Sequence, residues 1–244
     1  MRIAILANTL PAALPIYSEL NSNSEVELLV ALCSPPGHSP LKSVIGHLAR
    51  WLVKAGRWQS LRLALSGRLV LCPRPLDHPK TLARLNDLKL DVGLHKTGNI
   101  YRQPTIDCFG VGILNAHIGV LPRYRGRSVM EWSLLENQPT GITVFFIDAG
   151  IDSGARIVLS EEINISHCKS LVEAKQYLFN LDARFYRRAV DLLMTGNPDF
   201  GLNDSGGQRY YVMSELFEKV TEQCLLLQGR ELSGSPNLTR ESEN

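Results

Sequence analysis

No acidic residue occurs between Glu27 and Asp77, and seven basic ones fall in that gap: Lys42, Arg50, Lys54, Arg57, Arg62, Arg68 and Arg74. A run of one sign is ordinarily a solvated face. Its sharper reading is a surface, spanning residues 42–74, that meets phosphate groups or an anionic membrane. The whole chain carries a net charge of only +2, so nothing global argues for a nucleic-acid partner. Also missing is any apolar stretch near the ~20 residues that a membrane span requires. The apolar start ends at Asn8, with Pro11 and Pro15 close behind. That is too short for a signal peptide and reads as a buried first strand. None of Cys33, Cys72, Cys108, Cys168 and Cys224 stands at the close spacing of a zinc or redox pair. Reduced, mostly buried thiols in a cytoplasmic protein are therefore expected, with no metal site. No G-x-G-x-x-G follows the first strand, so a dinucleotide oxidoreductase lacks its usual signature.

What is present alternates between two periods. Arg2 to Ala7, Glu27 to Leu32, Arg68 to Cys72, Asp91 to Leu94 and Gly112 to His117 read as strands, the second of them nearly continuous in apolar residues like a parallel strand buried on both faces. Helical spacing marks Pro11 to Leu20, Leu41 to Leu65, Pro79 to Leu88, Ser128 to Glu136 and Ser170 to Met194. Within the second of these, Arg50, Lys54 and Arg57 form a stripe of their own. Two later strands, Ile142 to Ile147 and Arg156 to Ile163, follow the fifth. The pattern predicts an α/β fold, an open and mainly parallel twisted sheet with antiparallel strands added late. It divides into a catalytic domain over 1–195, a small C-terminal helical appendage over 196–228 with a helix from Val212 to Leu227, and a disordered tail over 229–244.

Chemistry concentrates between Leu114 and Gly154. Asn115 and His117 stand at i and i+2 at a strand end, so both side chains leave one face. Ligands of open α/β sheets bind beyond the carboxyl ends of the strands, where this pair lies. A rigid turn follows, Leu121-Pro122-Arg123-Tyr124-Arg125-Gly126, and later a glycine-flanked loop carries Asp148 and Asp152. Singly, such residues are usual turn formers. Together, an amide donor, an imidazole and a carboxylate suit acyl transfer through a tetrahedral intermediate, with donors for the oxyanion and a base for the amine's proton. No serine or cysteine nucleophile is required, because an amine can attack directly.

The run Asn115-Ala116-His117-Ile118-Gly119-Val120-Leu121-Pro122-Arg123-Tyr124-Arg125-Gly126, then Gly141-Ile142-Thr143, then Gly150-Ile151-Asp152-Ser153-Gly154, resembles the folate-dependent formyltransferase family. That resemblance implies a Rossmann-like formyltransferase fold, with 10-formyltetrahydrofolate as formyl donor and Asn115, His117 and Asp152 as catalytic residues. It places folate between the loop ending in that aspartate and the loop after the fourth strand. Asn99, Ile100, Phe146, Asp148, Ala149 and Ile151 are the expected contacts, largely through backbone groups. Arg123, Tyr124 and Arg125 are expected to face the acceptor. Two positions depart from the pattern. The family often carries Ser where Gly119 stands, and its small-residue turn after the fourth strand is replaced by Leu94-His95-Lys96-Thr97-Gly98-Asn99. His95 reads as a loop histidine rather than a second catalyst.

The resemblance also bears on the acceptor. Glycinamide ribonucleotide enzymes carry a Gly-Ser-Asn phosphate loop where this chain has Ala7-Asn8-Thr9, and too few residues follow Met194 for the C-terminal domain of a methionyl-tRNA enzyme. A small-molecule amine, nucleotide-linked as in an amino-sugar nucleotide, is the expected acceptor. Methionyl-tRNA formylation and a non-catalytic folate- or nucleotide-binding relative are the alternatives.

Overall fold

The structure, a computed structural model, describes residues 1–33, 62–63, 65–72, 74–148, 156–196, 200–202 and 207–233. The expected helix carrying Arg50, Lys54 and Arg57 lies outside them. β1 (Arg2–Ala7), α1 (Leu10–Leu20), β2 (Glu27–Cys33) and β3 (Leu69–Cys72) come first. α2 (Pro79–Asp87), β4 (Leu90–Lys96), the short α3 (Gln103–Ile106) and β5 (Phe109–His117) follow. Next are β6 (Tyr124–Gly126), α4 (Val129–Leu135), β7 (Gly141–Phe146), β8 (Arg156–Glu162) and α5 (Leu171–Met194). The chain continues through β9 (Gly201–Leu202), β10 (Gln208–Tyr210) and α6 (Glu215–Ser233).

Eight strands form one sheet in the order β3-β2-β1-β4-β5-β7-β8-β9. The first five are mutually parallel, and β7, β8 and β9 add antiparallel. Successive residues of β1 serve opposite faces. Ile3, Ile5 and Ala7 join the core under α1 and α5. Ala4 and Leu6 join the smaller core that includes Leu85 of α2. All five are fully buried, which is why this strand reads as an unbroken apolar run rather than an alternating one. α5 begins at a capped turn: Ser170 Oγ accepts from the Glu173 amide at 3.1 Å, and Glu173 Oε2 accepts from the Lys169 amide at 2.8 Å.

The thiols are free, and all but Cys224 are buried. Cys33 and Cys72 face each other in the β2–β3 register, a proximity that linear spacing hides. The hydrogen bond with Cys72, together with burial, pushes the Cys33 thiol up. In the basic segment, Arg68 donates to Asn21 Oδ1 at 2.7 Å and Arg74 lies 3.4 Å from His78 Nε2, while Arg62 is exposed. Among the described residues no helix is long and apolar enough to cross a membrane.

After Gly196 the chain returns to the body of the molecule. β9 extends the sheet beside β8, β10 pairs in parallel with β6, and α6 packs on α4 and α5. The last helix reaches Ser233, so residues 229–233 are helical where a disordered tail was expected.

Candidate active site

The chain runs outward through β1, β2 and β3 and then returns to place β4 against the other side of β1, so the order of strands reverses between β1 and β4. Such a reversal opens a crevice at the carboxyl ends of strands. Asn8, just past β1, ties that end together. Its Nδ2 donates to the Cys33 carbonyl at 3.1 Å, and its Oδ1 accepts from the Gly98 amide at 2.8 Å.

One strand further, the β4–β5 register ends at Leu94 and Leu114. Beyond it the Tyr186 hydroxyl of α5 enters between the strands, accepting from the Ala116 amide at 3.0 Å and donating to the His95 carbonyl at 2.6 Å. Both backbone groups stay bonded while the ladder is held apart. Asn115 and His117 lie on this freed edge of β5, which remains paired to β7 on its other side. They line a cleft of about 580 Å³ with His95, Arg127, Glu131 and Lys175. A second cavity of about 500 Å³, between α5 and α6, shares Glu131, Lys175, Phe179 and Glu218 with the first. Glu131 is 2% exposed and forms an ion pair with Lys175.

His117 is buried, and its Nε2 lies 2.9 Å from the Tyr124 carbonyl. A carbonyl only accepts, so Nε2 carries the hydrogen, and Nδ1 is the basic nitrogen of the neutral ring. Phe145 packs edge-on at 6.4 Å. Thr143 fixes the turn that follows: its Oγ1 donates to the Gly119 carbonyl at 2.7 Å and accepts from the Leu121 amide at 3.2 Å. Gly119 itself has no room for a side chain, since a Cβ there would stand 2.8 Å from His117 Nε2 and 2.9 Å from Val129 Cγ2. The serine common in the family at this position would therefore press on the imidazole of this chain.

Asn115 and His117 thus share one cleft, whereas Asp152, Ala149 and Ile151 lie outside the described residues. Asp148 is half-buried two residues after the end of β7. Phe146 is a core residue, 3% exposed, with the Arg156 guanidinium 4.2 Å from its ring centroid, so only its backbone is placed to meet a ligand. The Asn99 amide donates to Thr97 Oγ1 at 3.0 Å, and Ile100 is 76% exposed beside it. The three residues expected to face an acceptor do not line the cleft. Arg123 turns outward to Gln138 at 3.0 Å, Tyr124 is buried with its hydroxyl on Glu136, and Arg125 is half-buried. Strand β6 alternates, so Tyr124 faces the core that a turn reading had left out; Arg127, just beyond, takes the place beside the cleft.

His95 corrects a second expectation. It belongs to β4, not to a loop, and lines the cleft with Nδ1 2.8 Å from the Tyr101 hydroxyl. Its position at a carboxyl strand end was the available signal. Glu131, Lys175 and Phe179 carried none, because helix packing alone brings them there. Nearby, Lys96 pairs with the buried Asp182 of α5 and sits 5.2 Å over the Phe179 ring.

An open, mostly parallel α/β sheet with its cleft at the carboxyl strand ends defines a broad class of ligand-binding proteins. Within that class, residues 71–190 match the model of the formyl transferase family. The chain is 33% identical over 126 residues to the methionyl-tRNA formyltransferase of Syntrophus aciditrophicus, covering 51% of this chain and 40% of that protein. To the Deinococcus radiodurans methionyl-tRNA formyltransferase it is 30% identical over 188 residues, 76% of this chain and 56% of the relative. The chain spans about half or less of the first curated relatives it matches. A 4-N formyltransferase from Francisella tularensis shares the fold at a TM-score of 0.63 and 14% identity, over 92% of this chain and 87% of that one. The formyltransferase of Anoxybacillus kamchatkensis, solved with UDP-4,6-dideoxy-4-formamido-L-AltNAc and tetrahydrofolate, superimposes at a TM-score of 0.56 with 17% identity, covering 94% and 100%.

Proposed function

We propose that this chain transfers a formyl group from 10-formyltetrahydrofolate to a primary amine in the cleft beside β5, with Asn115, His117 and Asp152 as catalytic residues. The observation that carries the reading is the held-open edge of β5, where Asn115 and a His117 of defined tautomer line one cleft. Bound there, the carrier supplies an activated formyl carbon. The backbone at Asn99–Ile100 and at Phe146–Asp148 is suited to hold it, because the first stretch is tethered through Asn8 and the second leaves a sheet strand. As the amine nitrogen bonds to the formyl carbon, the Asn115 amide donates to the oxygen that gains charge. His117 Nδ1 takes the proton the amine must lose and returns one to the departing carrier nitrogen. Asp152 supports the charged form of the imidazole through its negative charge.

The acceptor we favour is an amino-sugar nucleotide. Arg127 at the cleft supports it by offering a cation to phosphate, and the cavity between α5 and α6 offers room for the body of such a molecule. The Anoxybacillus kamchatkensis formyltransferase of the same fold, solved with UDP-4,6-dideoxy-4-formamido-L-AltNAc and tetrahydrofolate, supports the same reading. Methionyl-tRNA is a second reading, favoured by the curated relatives. A steep fall of affinity with salt would select it.

The test is turnover with a panel of amino-sugar nucleotides, followed by Asn115→Ala, His117→Asn and Asp152→Asn. Each variant should lose ~100- to 1000-fold in rate, the usual cost of one oxyanion donor. Folate affinity and melting temperature should change little, because these groups act in the transition state. Full activity of His117→Asn would refute the mechanism.

A further inference from the structure

The family-model match ends at residue 190, but the chain beyond it comes back to the imidazole. β10 lies parallel to β6, pairing Gln208 with Tyr124 and Tyr210 with Gly126. The Tyr210 ring stacks on Tyr124 at 5.3 Å and 29°. Both phenols donate to one carboxylate: Tyr124 to Glu136 Oε2 at 2.8 Å, and Tyr210 to Oε1 at 2.8 Å and Oε2 at 3.0 Å. Trp132 closes the other side, 5.5 Å from Tyr210, with Nε1 donating to the Tyr211 carbonyl at 2.8 Å. Two glycines make the approach sterically exact. A Cβ on Gly126 would stand 2.2 Å from the Tyr210 carbonyl oxygen, and one on Gly207 only 1.4 Å from that of Pro122.

Everything in this cluster bears on Tyr124, and the Tyr124 carbonyl is the acceptor for His117 Nε2. Tyr124 cannot shift without breaking a phenol–carboxylate bond, a ring stack and a strand pair together. A charge-assisted bond of this kind is worth roughly twice a neutral one. A carboxylate holding two phenols also disfavours their ionisation: burial and Glu136 push Tyr210 up to about 12, and Tyr124 higher still. Both therefore stay donors across the neutral range.

We propose that Tyr210 and Glu136 are positioning residues for His117: they lock Tyr124 so that its carbonyl keeps the imidazole in the Nε2–H tautomer, with Nδ1 as the base. The catalytic half of this statement rests on the formyl-transfer reading above; the tautomer half does not. Neither residue lines the cleft, so both act through Tyr124, and the segment after the matched family region becomes part of the machinery.

The experiment reads the two halves separately on the full chain. Long-range nitrogen–proton NMR of His117 reports the tautomer directly. Wild type should show Nε2–H. Tyr210→Phe keeps the stacked ring and loses only the hydroxyl, while Glu136→Gln leaves one amide oxygen for two phenols. In both variants the His117 nitrogen shifts should move toward a mixture of tautomers. Formyl transfer should fall about tenfold in kcat, part of what general acid–base catalysis contributes, with the KM for folate unchanged. Tyr210→Leu, which also removes the stack, separates packing from positioning by lowering Tm as well. Unchanged His117 shifts in Tyr210→Phe and Glu136→Gln would overturn the proposal, as would an Nδ1–H tautomer in wild type. Altered shifts in a protein that transfers no formyl group would refute the proposed function and uphold the positioning.

Discussion

Two regions of the molecule are built on different principles. In β1, β2 and the amino-terminal part of β4, almost every side chain is apolar and buried, and the two faces divide their residues by simple alternation. Nothing there needs a particular partner, only volume and shape. Around the end of β5, with β6, β10, α4 and the start of α6, buried polar groups take over. Tyr124, Tyr210, Thr143 and His117 are buried and each answers a named donor or acceptor, with the exposed Glu136 closing the cluster from outside, and glycines fill positions where a methyl group would collide. The first region supplies stability through burial that tolerates substitution. The second trades that tolerance for fixed geometry, because a half-satisfied buried network costs more than an apolar one.

The difference can be broken from either side, and the largest effect lies in the apolar half. Ile5 is fully buried in the core under α1 and α5. Ile5→Ala should cost about 2–5 kcal/mol by removing contacts and leaving a cavity, read by denaturant titration. Formyl transfer per folded molecule should stay near wild type, since Ile5 itself does not line the cleft. A drop in kcat as large as that of a cleft variant would show that the two regions are not separable.

The mirror-image substitution is Gly126→Ala. Its backbone sits at φ +102°, and its Cβ would press on the Tyr210 carbonyl. A strained position of this kind costs about 1–3 kcal/mol, less than the core substitution. The loss should instead appear in turnover, by tenfold or more on the general acid–base scale, because β10 must move off β6 and release Tyr124. Tm and kcat measured on both proteins form a crossed pair. Equal activity in Gly126→Ala and wild type would remove the polar corner from the mechanism.

The same contrast explains what the sequence made legible. Burial on two faces writes an apolar run, so β1, β2, β5 and β7 were readable to within a few residues, as was α5 from its periodicity. Asn115 and His117 were readable because period two and a strand end place them by local rules alone. β6, β9, β10 and α3 were not: each has two to four residues, and β6 and β10 exist only because distant segments meet. The same blindness hid the directions of Arg123, Tyr124 and Arg125, which do not line the cleft. The motif marked these positions but not their direction, and it is the Tyr124 carbonyl that lies 2.9 Å from His117 Nε2. Lys175 and Glu131 reach the cleft from α5 and α4, joined by their ion pair and by α6, which packs on both helices, and no spacing in the sequence encodes that.

The smallest effect tests whether the polar region gains or loses stability from its ions. Asp182 lies on α5 with its side chain 6% exposed, paired to Lys96 at the end of β4. Burial raises its carboxyl above the ordinary 3.8, and the Lys96 charge offsets this only in part. A raised folded pKa means that the folded protein holds the proton more tightly than the unfolded chain does. Its contribution to stability is therefore complete below the unfolded value and is lost as pH climbs through the folded one. Asp182→Asn removes the titration and keeps the size. The stability gap between variant and wild type should then move in the variant's favour as pH is raised from below 3.8 toward neutrality, with the change centred above the unfolded value. Denaturant titrations of both proteins across that range give the difference directly. A gap moving in wild type's favour would mean that Lys96 more than repays the desolvation of the carboxylate. Either sign leaves the apolar half untouched, because no member of this pair contributes to its core.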